Sequence, residues 1–256
     1  MAGTAEKEDR QFKKRLTELA DKSYRENRFL FSGFLGMAEI SLLYEAMEEN
    51  GCKAYTLWGG YEGAERQMVR FGSSRELGYE EEFPLVCIRI TPLLKKFADA
   101  LNHRDFLGAL MNLGIERDTL GDILLRESEG YVFAQESMAD FICENLTKVK
   151  HTNMRCSRCS EVPQVLKREP EEKQVVTASC RADSILSKVY QLSRSQSLTL
   201  FQEKKVFING RVSENNSGLL KEGDVVAARG YGKFIYRGVQ YENKKGKYCV
   251  LVGVYI

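Results

Sequence analysis

Hydrophobic and polar positions follow two periods along this chain. Over residues 9–30, Phe12, Leu16, Leu19 and Tyr24 fall roughly on one face with Lys and Arg opposite, which predicts an amphipathic helix. Ile40, Leu43, Tyr44 and Met47 predict a second helix over 37–49, stopped by Asn50-Gly51. Residues 54–58 read as a strand, and 59–63 as a glycine-rich turn into the mixed-charge segment 64–70. A second unit starts near Phe83. It holds a strand over 85–90 closed by Thr91-Pro92, a helix from His103 to Leu113 ended by Gly114, and strands over 122–125 and 131–134. A helix capped by Ser137 runs to about Leu146, and 148–154 forms the last strand. From Arg181 to Tyr190 a helix turns Ile185, Leu186 and Val189 inward. Ser193 caps the next helix, which carries Arg194 in its first turn, Leu198 and Phe201 on its buried side and Lys204-Lys205 at its end. A strand over 206–208, the turn pair Asn209-Gly210 and a strand over 225–228 that delivers Arg229 complete the pattern.

The expected architecture is α+β in three parts: an N-terminal α/β domain over 1–80, a βαββαβ domain over 81–155, and a basic αα-plus-β unit over 177–256. Residues 156–176, with two prolines and little periodicity, read as a linker. The order βαββαβ is that of a ferredoxin-like domain, the fold of RNA-recognition motifs. The aromatic-rich strand signature of those motifs is absent. Tyr131 and Phe133 alternate on one strand face, and core packing is favoured over base stacking for them.

Charge refines this division. The net charge is only +2. Residues 1–150, however, carry 20 Lys and Arg against 26 Asp and Glu, whereas residues 177–247 carry 13 against 6. A basic C-terminal third points to nucleic acid, because Lys and Arg displace counterions from phosphate. No apolar run is long enough to cross a bilayer, and the polar N-terminus is neither a secretory signal nor a transit peptide, so a cytosolic protein without membrane partners is expected. The seven cysteines lie mostly in apolar surroundings and read as reduced thiols.

The segment 179–235 resembles the S4 RNA-binding domain, on Arg181-Ala182-Asp183, Leu192-Ser-Arg-Ser195, Val206-Phe-Ile-Asn-Gly-Arg-Val212, Lys221-Glu-Gly-Asp-Val-Val226 and Arg229-Gly-Tyr-Gly-Lys-Phe234. The family pattern opens Arg-Leu-Asp, so Ala182 departs from it and is expected to affect packing. The resemblance implies that Arg181, Ser193, Arg194, Lys204, Lys205, Asn209, Arg229 and Lys233 face RNA, while Arg211 and Lys221 read as solvated charges. The whole chain resembles the YlmH family, on Gly59-Gly-Tyr-Glu-Gly-Ala-Glu-Arg66, His103-Arg-Asp-Phe-Leu-Gly-Ala-Leu110, Leu113-Gly-Ile115 and Gly121-Asp-Ile123. That resemblance implies a non-catalytic factor that binds ribosomal RNA and tRNA on the large ribosomal subunit and rescues stalled nascent chains. It also implies an association with cell division.

Two motifs tempt a different assignment. His103-Arg104-Asp105 spells a kinase triplet, but the phosphate loop, strand lysine and metal-binding Asp-Phe-Gly are missing, and a helix start explains it better. Cys156-Ser-Arg-Cys159 lacks a second cysteine pair, with only Cys180 and His151 as further candidates, so neither metal nor cofactor is expected. No small-molecule substrate is expected, and the chain is expected to act as a monomer. The rival reading is an RNA-modifying enzyme, of the pseudouridine synthase or methyltransferase type, with a catalytic domain within 1–150.

Overall fold

The computed structural model describes residues 2–159 and 169–255. The chain divides into two compact units, Met1–Lys167 and Arg168–Ile256.

The first unit opens with helix α1 (Ala2–Glu26), the short strand β1 (Leu30–Phe31) and helix α2 (Met37–Glu49). Strands β2 (Tyr55–Trp58) and β3 (Met68–Phe71) follow, then the single turn α3 (Ser74–Leu77). The three strands form an antiparallel sheet in the order β1-β3-β2. Leu16 and Ala20 of α1 bury against Ile40, Leu43, Ala46 and Met47 of α2 and against Val69 and Phe71 of β3. Tyr24, expected on that buried face, is 84% exposed. Ser23 takes the inward position instead, and its hydroxyl donates to the carbonyls of Arg28 and Phe71. The α2 bounds match the expected ones, and Gly51 follows its end at a φ of 66°, a left-handed value that suits glycine.

The rest of this unit comprises β4 (Leu85–Pro92), α4 (His103–Met111), β5 (Leu120–Arg126), β6 (Glu129–Gln135), α5 (Ala139–Asn145), β7 (Lys148–Val149) and β8 (Thr152–Cys159). The strands pair antiparallel in the order β5-β6-β4-β8-β7. Phe106 and Leu110 of α4 and Ala139 and Ile142 of α5 pack on one face with Ile88, Ile90, Val132 and Met154. Asn102 caps α4. Its side chain accepts from the Arg104 and Asp105 amides while the Asp105 carboxylate accepts from the Asn102 amide, so the His-Arg-Asp triplet is a helix start. Ser137 lies in a 3-10 turn ahead of α5 and makes no cap bond.

The second unit carries β9 (Glu171–Thr177), α6 (Ala182–Val189), α7 (Arg194–Gln202), β10 (Val206–Ile208), β11 (Arg211–Val212), β12 (Val225–Ala228), β13 (Gly232–Glu242) and β14 (Tyr248–Val254). Its sheet runs β11-β10-β12-β13-β14-β9, all pairs antiparallel. Ile185, Leu186 and Val189 of α6 and Leu200 and Phe201 of α7 bury against Val206, Val226, Phe234 and Val250. Leu198 is only half-buried, because Ser197 and Leu200 take the inward positions with Phe201. Residues 156–176, expected to be a linker, are strand at both described ends: Cys156–Cys159 complete β8, and β9 pairs along β14. The alternation of Val175 and Thr177, both buried, with exposed Gln174 and Val176 was the period-two signal there.

Candidate nucleic-acid interface

At the start of α6, Asp183 is 4% exposed and ties three segments together. Its carboxylate accepts from Arg181 Nε at 3.1 Å and from Arg181 at 2.9 Å through a second nitrogen. It also accepts from the Asn216 side-chain amide at 3.1 Å. Its carbonyl accepts from the Ser197 hydroxyl of α7. The Arg181 guanidinium therefore braces the fold in this structure, whereas the sequence resemblance implied an RNA contact. Ala182, the departure from the S4 pattern, is fully buried in the core, which makes it a packing change.

Asn209 is likewise engaged. Its amide donates to Asp224 at 2.8 Å and its oxygen accepts from the Val225 amide at 2.9 Å, locking the β10–β11 turn to the loop before β12. Asn209 and Gly210 both have positive φ, 52° and 77°, as a two-residue hairpin turn requires. Ser193 caps α7: its hydroxyl accepts from the Gln196 amide while the Gln196 side chain accepts from the Ser193 amide. Arg194 sits beside it, exposed in the first turn.

The remaining cations gather at one end of the sheet. The Arg229 amide donates to the Lys205 carbonyl at 2.9 Å, continuing the β10–β12 ladder, so Lys204, Lys205 and Arg229 are neighbours. Lys204 pairs with Glu214 at 3.2 Å and Lys205 with Glu203 at 2.6 Å. Solvent-exposed pairs of this kind contribute only about 0–1 kcal/mol, so a phosphate can take over either lysine. Lys233 stands opposite Ala227 on β13, its Nζ 4.6 Å from the Tyr255 ring centre. Between Arg229 and Lys233 the chain turns through Gly230 and Gly232, with φ of 90° and 118°, and Tyr231 packs on Tyr190 at the end of α6. Arg194 lies a helix length away from Lys204, about 13 Å along α7.

One basic group escaped the sequence reading. The β13–β14 hairpin carries exposed Lys244, Lys245 and Lys247 at its tip. The Asn243 side chain accepts from the Lys245 and Lys247 amides, and Gly246 has a φ of 68°, so the lysines sit on a shaped turn. The Lys-Lys-Gly-Lys run was its signal.

In the first unit the motif glycines and Arg66 form a clasp. Asp122 of β5 accepts from the Tyr61 hydroxyl and the amides of Glu65 and Arg66. The Arg66 guanidinium donates to the carbonyls of Phe34, Arg117 and Leu120, and Arg117 donates to Leu120 and Gly121. Burial lowers the pKa of both arginines, and with Arg66 nearby brings Arg117 to about 10. A Cβ on Gly60 would meet the Phe133 ring at 2.3 Å, and one on Gly121 would meet Phe34 at 2.7 Å. The clasp presses β3 and its loops onto the sheet of the βαββαβ domain. Phe34 and Met68 cover Tyr131 and Phe133, which are 2% and 1% exposed, and Tyr61 stacks on Phe133. These aromatics are core.

Cys156 and Cys159 lie three residues apart on β8 and so face opposite sides of the sheet. Cys156 packs toward α5 and Cys159 toward Phe133. Burial pushes the Cys156 thiol up to about 12. Cys159 stands across from Cys87, whose thiol burial also raises to about 12. Among the described residues no three His, Cys, Asp or Glu side chains are grouped to hold a metal. No described helix is long and apolar enough to cross a membrane.

The βαββαβ domain and its surroundings define a class: residues 79–161 match the family described as "Putative RNA-binding domain in YlmH". Over 247 residues the chain is 26% identical to "Ribosome-associated protein quality control protein P2" of Bacillus subtilis (strain 168), covering 94% of this chain and 87% of that protein. A solved structure, "Cell division protein ylmH from Streptococcus pneumoniae", is 22% identical with a TM-score of 0.48, covering 59% of this chain and 91% of that one. The chain resembles the YlmH family along nearly its whole length.

Proposed function

We propose that this protein is a non-catalytic RNA-binding factor of the cytoplasm. In this reading it binds ribosomal RNA and peptidyl-tRNA on the large ribosomal subunit as a single chain, and acts in rescue of stalled nascent chains. The observation that carries the reading is the cation cluster of the second unit, where Lys204, Lys205, Arg229 and Lys233 gather at one end of the sheet; Lys244, Lys245 and Lys247 form a separate group beyond the far end of β13. Grouped charge of this kind binds phosphate and gives affinity without sequence readout. The name of the Bacillus subtilis relative supports the ribosome as the place of action. The two helices followed by short antiparallel strands support an S4-type unit. The strand order β5-β6-β4-β8 supports a ferredoxin-like middle domain.

The test is co-sedimentation of the full chain with purified large ribosomal subunits. Wild-type protein is expected to pellet with subunits, and the Lys204→Ala/Lys205→Ala/Arg229→Ala variant to remain in the supernatant at physiological salt. A variant that pellets like wild type, or a wild type that does not pellet, overturns the reading.

A further inference from the structure

The clasp covers only part of the middle sheet. Side chains on its clasp-facing side fall into rows across the four strands, set by the pairing register. The first row, Phe133, Cys87 and Cys159, lies under the clasp, and Asp122, in the irregular stretch of β5 beside it, bonds to the clasp. In the second row Leu124 and Tyr131 are buried, while Arg89 and Ser157 are exposed. The third row, Arg126, Glu129, Thr91 and Arg155, lies at the uncovered end, with Arg126 and Arg155 exposed at its two sides. They stand three strand spacings apart, about 14 Å.

Glu129 organises this surface. It is 6% exposed and accepts from Arg89 Nε at 3.1 Å and from Arg89 again at 2.8 Å. Lys95 Nζ, on the turn after β4, lies 2.8 Å from its other oxygen, and the Tyr131 hydroxyl donates to it as well. Arg89 stays 46% exposed while held there. Two cations hold this carboxylate, and Arg126 and Arg155 lie exposed on the strands at either side of it, so four cations share this end of the sheet with one buried acid. The aromatic positions that would stack on bases are under the clasp, so what remains open offers guanidinium forks and an ammonium, groups suited to phosphate.

We infer that this open end of the sheet, built from Arg89, Lys95, Arg126 and Arg155 around Glu129, is a second RNA-contacting surface that grips the sugar-phosphate backbone and not the bases. The inference rests on the RNA-binding reading above and on the description of the family that matches residues 79–161, and adds to them the residues that make the contact and the part of the RNA they meet.

The experiment measures binding of the full chain to protein-free large-subunit ribosomal RNA across a salt series. Three proteins are compared with wild type: Arg126→Ala/Arg155→Ala, Arg126→Lys/Arg155→Lys, and the triple alanine variant of the second unit. Arg126 and Arg155 are exposed, so their replacement leaves the core intact. The alanine pair is expected to weaken binding roughly tenfold at 0.1 M salt and to flatten the salt slope by about 1.4–1.8 for two lost phosphates. The lysine pair, which keeps the charge, is expected to retain the slope. An alanine pair with wild-type slope, beside a triple variant that loses affinity, overturns the sheet surface and leaves the RNA-binding reading standing. Wild-type protein that does not bind the RNA overturns that reading itself. Unchanged binding to naked RNA with weakened binding to whole subunits assigns the face to a ribosomal protein and overturns the inference.

Discussion

Glu129 shows how a single buried acid orders a surface. Its carboxyl is held down to about 2, first by Lys95 and then by Arg89. A carboxyl whose folded-state pKa is depressed contributes stability in full above its ordinary value of 4.5, and loses it as pH falls through about 2. Glu129→Gln is therefore expected to be less stable than wild type at pH 7, with the gap closing between pH 4.5 and pH 2. Chemical denaturation of both proteins across that range measures it, and a gap independent of pH would contradict the assignment. Asp183 has the same organising role in the second unit. Asp183→Ala leaves Arg181 and Asn216 without their shared acceptor and is expected to cost about 3 kcal/mol, read from the urea midpoint. Arg181→Ala would then weaken RNA binding through the fold and not through a lost phosphate contact.

At the scale of elements, the motif of residues 59–66 joins two sheets. Gly60 has a φ of 96° and faces the Phe133 ring too closely for a Cβ, so both conformation and space demand glycine. Gly60→Ala is expected to destabilise the first unit by about 3 kcal/mol and to raise amide exchange in β3 and β6. Exchange confined to the turn itself would show that the two sheets do not depend on this contact. Most elements were legible because each buries one face: α2, α4, β4 and β6 lie where periodicity put them. Tyr24 misled because the last turn of α1 turns Ser23 inward. The clasp was not legible, since Phe34, Arg66, Arg117 and Asp122 are far apart in sequence and their bonds go largely to backbone, which leaves no periodic trace.

At the scale of the whole molecule, the charge split along the sequence anticipated the exposed cations that gather on the second unit. The eight residues carried over from the S4 resemblance did not prove alike. Arg181, Ser193 and Asn209 serve the fold, while Arg194, Lys204, Lys205, Arg229 and Lys233 stand at the surface or on its margin. Sequence alone could not separate these groups, because a buried brace and an exposed surface group use the same polar side chains. The hairpin lysines lay beyond the segment that the resemblance covered. The most direct test is the salt dependence of large-subunit binding by the full chain, with and without Lys204→Ala/Lys205→Ala/Arg229→Ala. For about five neutralised phosphates, log K should fall against log salt with a slope near −3 to −4, and the triple variant should flatten it by about 2. Binding insensitive to salt, or a triple variant with the wild-type slope, would contradict the account.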